Sequence, residues 1–424
     1  MDFSGTTLLN YQQDGVKILT GMLREHGAAY LSDPPGAGKS PQALKTAEAL
    51  GVSSLLIVCP ASLRENWRRE AARWLPQVVP TIVSYGETWR RPPPGRFDLA
   101  IFDESHALRS PKAKQTKACL KDIWPRCTYR LALSGTPLPN GRAVEAWPLF
   151  SRLWPERFGK WREYAERYCV KETPPWAQGR AIYKKCRNLE ELGRLARERF
   201  LVRRPKEEIL KELPPLVRQQ IPLAVADDAG PCALADRLRA LAVVEEGDAA
   251  GAMEFSTERR RLGILKVGAA LEFITDLLES EECVVVFAHH KEVLAELRKG
   301  LGDANIPVAY LDGATPADRR MEAVDAFQQG RARVFLASIL AAGVGLTLTR
   351  AGVVVMVEHD WLPATNIQAE ARISRLTQMR ICRAYYLAVP DSLDDAVTQA
   401  ILRKQRDVNA VLAETGGFAL DAAG

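Results

Sequence analysis

The 424 residues carry 58 Lys and Arg against 52 Asp and Glu, a formal net charge of +6, with 47% hydrophobic and 26% charged residues. That is a globular composition, and no apolar run approaches the roughly 18 residues a membrane span needs, so no membrane partner is expected. The eight cysteines form no C-x-x-C pair and have no histidines at ligand spacing, which argues against a disulfide framework and a zinc site and for reduced, mostly buried thiols.

At about 150 to 200 residues per domain, the length predicts two lobes. The opening "MDFSGTTLLNYQQDG" has neither the basic start and apolar block of a secretory leader nor an Arg/Ser-rich transit character, so the chain is expected to stay where it is made. The first half then alternates strand-length apolar runs, "AAYLSD", "SSLLIVCP", "FDLAIFDE" and "YRLALSGT", with helical patterns such as "SPQALKTAEAL" and "SLRENWRREAARW". Each run ends at a Gly, Pro, Asp or Ser cluster, the signature of a parallel α/β sheet. Residues 140–260 lose that alternation and read as helices with aromatic residues among basic ones, as in "WREYAERYC", broken at "ETPPWAQG" and "ELPPL", with "AVADDAGP" as a polar loop. Residues 151–215 hold 17 Lys and Arg against 10 Asp and Glu, either a solvated helical face or an electrostatic footprint for an anionic partner. The second half repeats the alternation with "CVVVFAHH", "PVAYLDG", "ARVFLASI", "GVVVMVE" and "CRAYYLAV".

Two motifs carry chemistry. "DPPGAGKS" follows a strand-like run and precedes a helical one, the setting in which backbone N–H groups and a helix N-terminus face an anion. Gly36 and Gly38 would let the backbone approach closely, Lys39 would give a point charge to the β and γ phosphates, and Ser40 would ligate magnesium. The strict phosphate-loop pattern wants glycine where Asp33 stands, so on these residues alone the stretch is either a nucleotide site or an ordinary turn. "LAIFDESHAL" sets Asp103 and Glu104 at the end of a buried strand. Adjacent desolvated carboxylates are unfavourable unless a cation shares the site. Asp103 is therefore assigned to a Mg²⁺ shell and Glu104 to orienting the attacking water.

Taken in order, "YQQDGV", "DPPGAGKS", "LIVCPASLRENWRRE", "DESH", "LALSGTPLPN", "VVVFAHH", "LDGATPADRRMEAVDAFQ" and "LASILAAGVGLTLTRAGVVVMVEHDWLPATNIQAEARISRLTQ" resemble the SWI/SNF family of superfamily 2 DNA translocases. "VFAHHKEVL" and "GLTLT" are most similar to its small annealing-helicase (HARP-like) branch. The resemblance runs from about residue 11 to about residue 410, and the family carries Asp at the position of Asp33. It implies two RecA-like parallel-sheet lobes with a helical insertion: residues 1–215 as the first lobe, with the insertion at about 140–215, residues 216–260 as a linker and helical segment, and residues 261–424 as the second lobe.

It also implies site roles. Gln12 matches the glutamine that reads adenine, and Ser134, Gly135 and Thr136 match the segment that couples phosphate state to lobe closure. Arg372 and Arg375 match arginines that reach across the cleft to the γ-phosphate, where such fingers stabilise transition-state charge. Gly343 and Gly345 fit the glycine motif lining the cleft, while His106 and Gln378 fall at coupling positions. Asp33, Gly36, Gly38, Lys39 and Ser40 complete the cofactor-binding set. Ala371, Ser374 and Thr377 replace the family's usual Asp, His and Gly, which puts the coupling of hydrolysis to movement in question, and Pro34 and Pro35 stiffen the phosphate loop.

The expected function is an ATP- and Mg²⁺-dependent double-stranded-DNA translocase whose partner is duplex or branched DNA of any sequence. Its rivals are a strand-separating DNA or RNA helicase and a nucleotide-gated DNA-binding module. The lack of chromatin-reading modules leads to the expectation of a cytoplasmic location in a bacterial or phage-infected cell.

Overall fold

The computed structural model describes residues 7–173, 181–209, 214–225, 249–342, 346–375, 378–413 and 421–422. The chain divides into two compact units, residues 1–211 with 406–415 and residues 212–405 with 416–424. Among the described residues no helix is long and apolar enough to cross a membrane.

In the first unit the four expected apolar runs form β1 (Ala28–Leu31), β2 (Leu55–Cys59), β4 (Phe97–Asp103) and β5 (Cys127–Leu133), joined by β3 (Thr81–Ser84) and β8 (Leu201–Val202). The order is β3-β2-β4-β5-β1-β8 with every pairing parallel. All four residues of β1 and all five of β2 are buried, as expected when helices cover both faces of a parallel sheet. α1 (Asn10–His26), α2 (Lys39–Ala49) and α3 (Arg64–Trp74) supply part of that cover, burying Leu19 and Leu23, Ala43 and Leu44, and Trp67. The described residues of 140–215 are mainly helical but also include an antiparallel strand pair, β6 (Cys169–Glu172) and β7 (Ile182–Cys186). Its strands are short and charged, so their alternation resembles an amphipathic helix.

The second unit turns its five expected runs into β10 (Val284–Ala288), β11 (Val308–Leu311), β12 (Val334–Ser338), β13 (Val353–Met356) and β14 (Cys382–Ala388). With β9 (Leu216–Pro222) and β15 (Asp421–Ala422) they form a parallel sheet of order β11-β12-β10-β13-β14-β9-β15. Residues 216–222, expected in a linker, are thus a strand paired along all seven residues with β14. Apolar clusters pack in this unit around Phe287, Phe335 and Tyr386 and around Val286, Leu297 and Leu336. Two RecA-like parallel-sheet units with a helical region are what the family resemblance implies.

Candidate functional site

β4, β5 and β1 are neighbours in the first sheet, so the segments leaving their C-terminal ends, 103–106, 134–136 and 32–40, meet at one edge. In parallel α/β sheets that edge is where ligands sit. After β1 the chain passes Asp33 to Gly38 and enters α2 at Lys39. Gly36 and Gly38 have φ of 86° and 68°, in the left-handed region a Cβ disfavours, and a Cβ on Gly38 would collide with the Gln12 amide.

Lys39 Nζ donates to the carbonyls of Asp33 at 2.9 Å and Pro34 at 3.1 Å. Desolvation lowers its proton affinity, opposed by the charges of Glu104, Asp33 and Asp103. Ser40 follows in the first turn of α2. Gln12 is buried, its Nε2 donating to Ala37 O at 3.3 Å and to Tyr11 Oη at 3.4 Å.

The Asp33 carboxylate points elsewhere. It is fully buried and ion-paired with Arg204, whose backbone N and Nε reach Oδ1 at 3.2 and 3.1 Å. Arg204 also donates to the Tyr11 carbonyl and, at 2.7 Å, to Gln42 Oε1. Asp33 therefore anchors the loop through its side chain and holds Lys39 through its backbone.

At the end of β4, Asp103 Oδ2 accepts Trp67 Nε1 at 2.8 Å and Oδ1 accepts the Glu104 N–H at 3.0 Å. Burial and the neighbouring Glu104 charge push the Asp103 carboxyl up to about 7, with the Trp67 hydrogen bond acting against them. The Tyr85 hydroxyl donates to Asp103 O at 2.7 Å. Glu104 has φ of 48°, an uncommon backbone state for a glutamate that sets its side chain off the line of the strand. His106 Nδ1 lies 3.3 Å from Glu104 Oε2 and 3.0 Å from Ser134 Oγ, and that hydroxyl accepts the Thr136 N–H at 3.1 Å. A Cβ on Gly135 would approach Pro35 to 2.9 Å, so the segment after β5 packs directly on the phosphate-loop candidate.

Arg372, Arg375 and Gln378 belong to the second unit. The Arg375 guanidinium donates to Ala371 O at 3.0 Å and Thr347 Oγ1 at 2.9 Å, and desolvation lowers its proton affinity to about 10. Arg372 is 5% exposed, and its carbonyl accepts the Leu348 N–H. The Gln378 amide is taken up by backbone: Nε2 reaches the carbonyls of Thr349, Ala351 and Ile373, and Oε1 accepts the N–H groups of Met379 and Arg380. It fixes the turn beyond Arg375. Gly343, Gly345 and Thr377 lie outside the described residues.

Comparisons with known proteins place the chain in a family. Residues 93–228 match the SNF2-related domain, and residues 269–377 match the helicase conserved C-terminal domain. The chain is 31% identical over 94% of its length to a Xenopus tropicalis SWI/SNF-related matrix-associated actin-dependent regulator of chromatin subfamily A-like protein 1. The chain belongs to the SNF2-related family of helicase-like ATPases. Within that family it lies close to the annealing-helicase branch, being 31% identical over 96% of its length to the mouse DNA annealing helicase and endonuclease ZRANB3. The chain spans 44% and 41% of those two relatives. A Sulfolobus solfataricus SWI2/SNF2 ATPase core solved with dsDNA is similar over 96% of this chain and 93% of its own, at 19% identity and a TM-score of 0.44.

One expectation is overturned. Curated relatives that align with more than nine-tenths of this chain include animal proteins named as regulators of chromatin, which favours a nuclear location over the cytoplasm of a bacterial or phage-infected cell. Compartment is not encoded in a motor core, because nucleotide-binding motifs carry no address.

Sequence reasoning also missed the supports of the site. Trp67 reads as an ordinary apolar position of an amphipathic helix, yet its indole N–H holds Asp103. Arg203 donates to Ser32 O and, at 3.0 Å, to Gly135 O. Like Arg204, it sits in "LVRRPKEE", where nothing local separates it from the basic residues around it.

Proposed function

We propose that the chain is an ATP-driven motor that tracks along duplex DNA and acts on branched DNA. The observation that carries this reading is the gathering, at one sheet edge, of the desolvated Lys39 ammonium and the adjacent carboxyls of Asp103 and Glu104, with the proton affinity of Lys39 shifted down and that of Asp103 shifted up. Such opposed shifts in one cleft mark functional groups more often than structural ones.

Lys39 would exchange its two carbonyl acceptors for the β and γ phosphates of ATP, and the N-terminus of α2 adds the field of its backbone N–H groups. Asp103 and the Ser40 hydroxyl form a hard-oxygen donor set that fits Mg²⁺, and a divalent cation there would restore the carboxylate form that burial disfavours. When bound, the ion would neutralise charge developing on the transferred phosphoryl oxygens. Glu104 orients the attacking water and accepts its proton. The contacts from Glu104 through His106 and Ser134 to Thr136 give a path by which the state of the water and phosphate reaches the segment after β5. Gln12 reads the adenine, and Arg372 and Arg375 complete the site from the second unit when the lobes close on nucleotide, releasing ADP and phosphate as they open.

DNA would be held through phosphates by Lys and Arg, so binding tolerates any sequence and weakens with salt. The names of the annealing-helicase relatives support forked or otherwise branched DNA as the working substrate. Steady-state ATP hydrolysis measured with no nucleic acid and with single-stranded, duplex and forked DNA and RNA tests the reading. Duplex and forked DNA should stimulate most, and the stimulation should fall as salt rises. Best stimulation by RNA would replace the translocase with an RNA helicase, and no stimulation by any nucleic acid would leave a nucleotide-gated binding module.

A further inference from the structure

On the flank of the first unit, an open groove of about 580 Å³ lies between residues 88–94 and the helical segment 114–126. Trp89 and the run Pro92–Pro94 line it from the first of these, and Lys114 and Lys117 from the second. Arg126 ties the two together: Nε donates to Asp122 O at 2.9 Å, and Nη1 donates to Pro93 O at 2.9 Å and Gly95 O at 3.2 Å. The groove is therefore shaped before anything enters it, so a ligand loses little affinity to ordering it.

Its chemistry is two-sided. Trp89 is 38% exposed, and the Lys114 ammonium and the Arg90 guanidinium lie 4.6 and 5.0 Å from its ring centroid. Among the described residues, none of Arg90, Lys114 and Lys117 is ion-paired with a carboxylate. The prolines opposite have no N–H to offer, so that wall cannot donate to phosphates as a nucleic-acid backbone site does. It offers apolar contact instead. Residues 91–96 and Arg126 immediately precede β4 and β5, whereas Lys39 and Glu104 lie at the opposite, C-terminal ends of the strands. An occupant leaves the nucleotide edge open.

We propose that this groove docks an acidic segment of a partner protein, with an aromatic or aliphatic side chain against Trp89 and Pro92–Pro94 and its flanking carboxylates on Lys114 and Lys117. Charge complementarity selects the acidic flanks, and the fixed apolar wall selects the anchor between them.

The test uses the full chain and a fluorescein-labelled peptide of about a dozen residues that alternates Glu and Asp with Phe and Leu, read by anisotropy. A second peptide replaces Phe and Leu with Ser, and a labelled duplex DNA forms the third arm. The first peptide should bind, and Lys114→Glu with Lys117→Glu, or Trp89→Ala alone, should weaken it by at least about tenfold, whereas Trp89→Phe should stay within about twofold. DNA-stimulated ATP hydrolysis should be unchanged in all three, which also verifies that they fold. The proposal is overturned if the peptide fails to bind, if the variants bind it as tightly as the parent does, or if the Ser-substituted peptide binds equally well. It is also overturned if the charge-reversed variant loses duplex DNA and keeps the peptide, which would make the groove a phosphate-backbone contact.

Discussion

In the first unit Lys39 rests on two backbone carbonyls at 2.9 and 3.1 Å, and Asp103 is pushed up to about 7 beside Glu104. In the second unit Glu370 is 1% exposed, yet it takes Arg218 Nε and Nη2 at 2.7 and 2.8 Å and the Tyr386 hydroxyl at 2.8 Å. Lys266, also 1% exposed, pairs with Asp394 at 3.0 Å. Two sheets of one plan therefore treat buried charge differently. At the strand ends of the first, Lys39 and Asp103 stand desolvated, whereas Glu370 and Lys266 of the second are matched by Arg218 and Asp394. Arg375 of the second unit is also desolvated, with hydrogen bonds to the neutral oxygens of Ala371 and Thr347. The contrast teaches that the RecA-like plan specifies where a site can be, and that desolvated, imperfectly matched charge singles out candidate residues in either unit.

The sharpest way to break that contrast is at Lys39. Lys39→Ala should reduce DNA-stimulated ATP hydrolysis by more than about 10³-fold, the scale of lost phosphate electrostatics. It should leave the melting temperature nearly unchanged, because the ammonium it removes is itself desolvated. A folded variant with normal turnover would show that the poised charges are not a nucleotide site.

Arg375→Ala asks whether the second unit contributes chemistry as well as structure. Loss of an arginine finger predicts a rate reduction of about 10³-fold with nucleotide binding by the first unit retained, and Arg375→Lys should rescue poorly because a point charge lacks the planar fork. Single-turnover hydrolysis beside nucleotide titration checks both halves. Normal hydrolysis in the alanine variant would leave the whole reaction to the first unit.

Glu370→Gln tests the matched side of the comparison. Breaking a buried pair strands the arginine, so the second unit should lose about 3 kcal/mol, visible as an earlier transition in thermal or urea unfolding. Replacing both partners, Arg218→Met with Glu370→Leu, should recover most of that loss, since apolar pairs of similar volume often serve as well. A single variant as stable as the parent would mean that the pairing stabilises little.

The legibility of these features follows their range along the chain. β1, β2 and β10 are continuous apolar runs because both sheet faces are covered, and a run of that kind needs no partner to be recognised. "GKS" and "DESH" are equally local: each motif carries its glycine, cation or carboxylates within a few residues. β9, "LVRQQIP", mixes polar residues into a strand that β14 and β15 flank on both sides, so its pattern resembles a loop until its neighbours are known. The antiparallel pair of β6 and β7 has the same difficulty. Arg204 is least legible of all, since it meets Asp33 across 171 residues. Asp33, read from the motif as a cofactor-binding residue, proves to be a side chain already in use.

Gln12 gives the smallest expected effect and separates two roles carried by one side chain. Its Oε1 accepts the Leu9 N–H at 3.0 Å and caps α1, while Nε2 faces Ala37 O at the phosphate-loop candidate. Gln12→Ala removes both, so it should lower stability by about 1 kcal/mol and raise the KM for ATP by about tenfold with kcat nearly kept. Gln12→Glu retains an acceptor for Leu9 and places negative charge at a helix N-terminus, where the backbone dipoles favour it. It lacks the donor nitrogen. The glutamate variant should keep the cap yet melt below the parent, because a buried carboxylate oxygen then faces Ala37 O. If adenine is read through Nε2, it should also show the raised KM, with ATP and GTP used almost equally. If Gln12 is only a helix cap, the KM should stay at the parent value in the glutamate variant, and the alanine variant should differ from the parent in melting temperature alone.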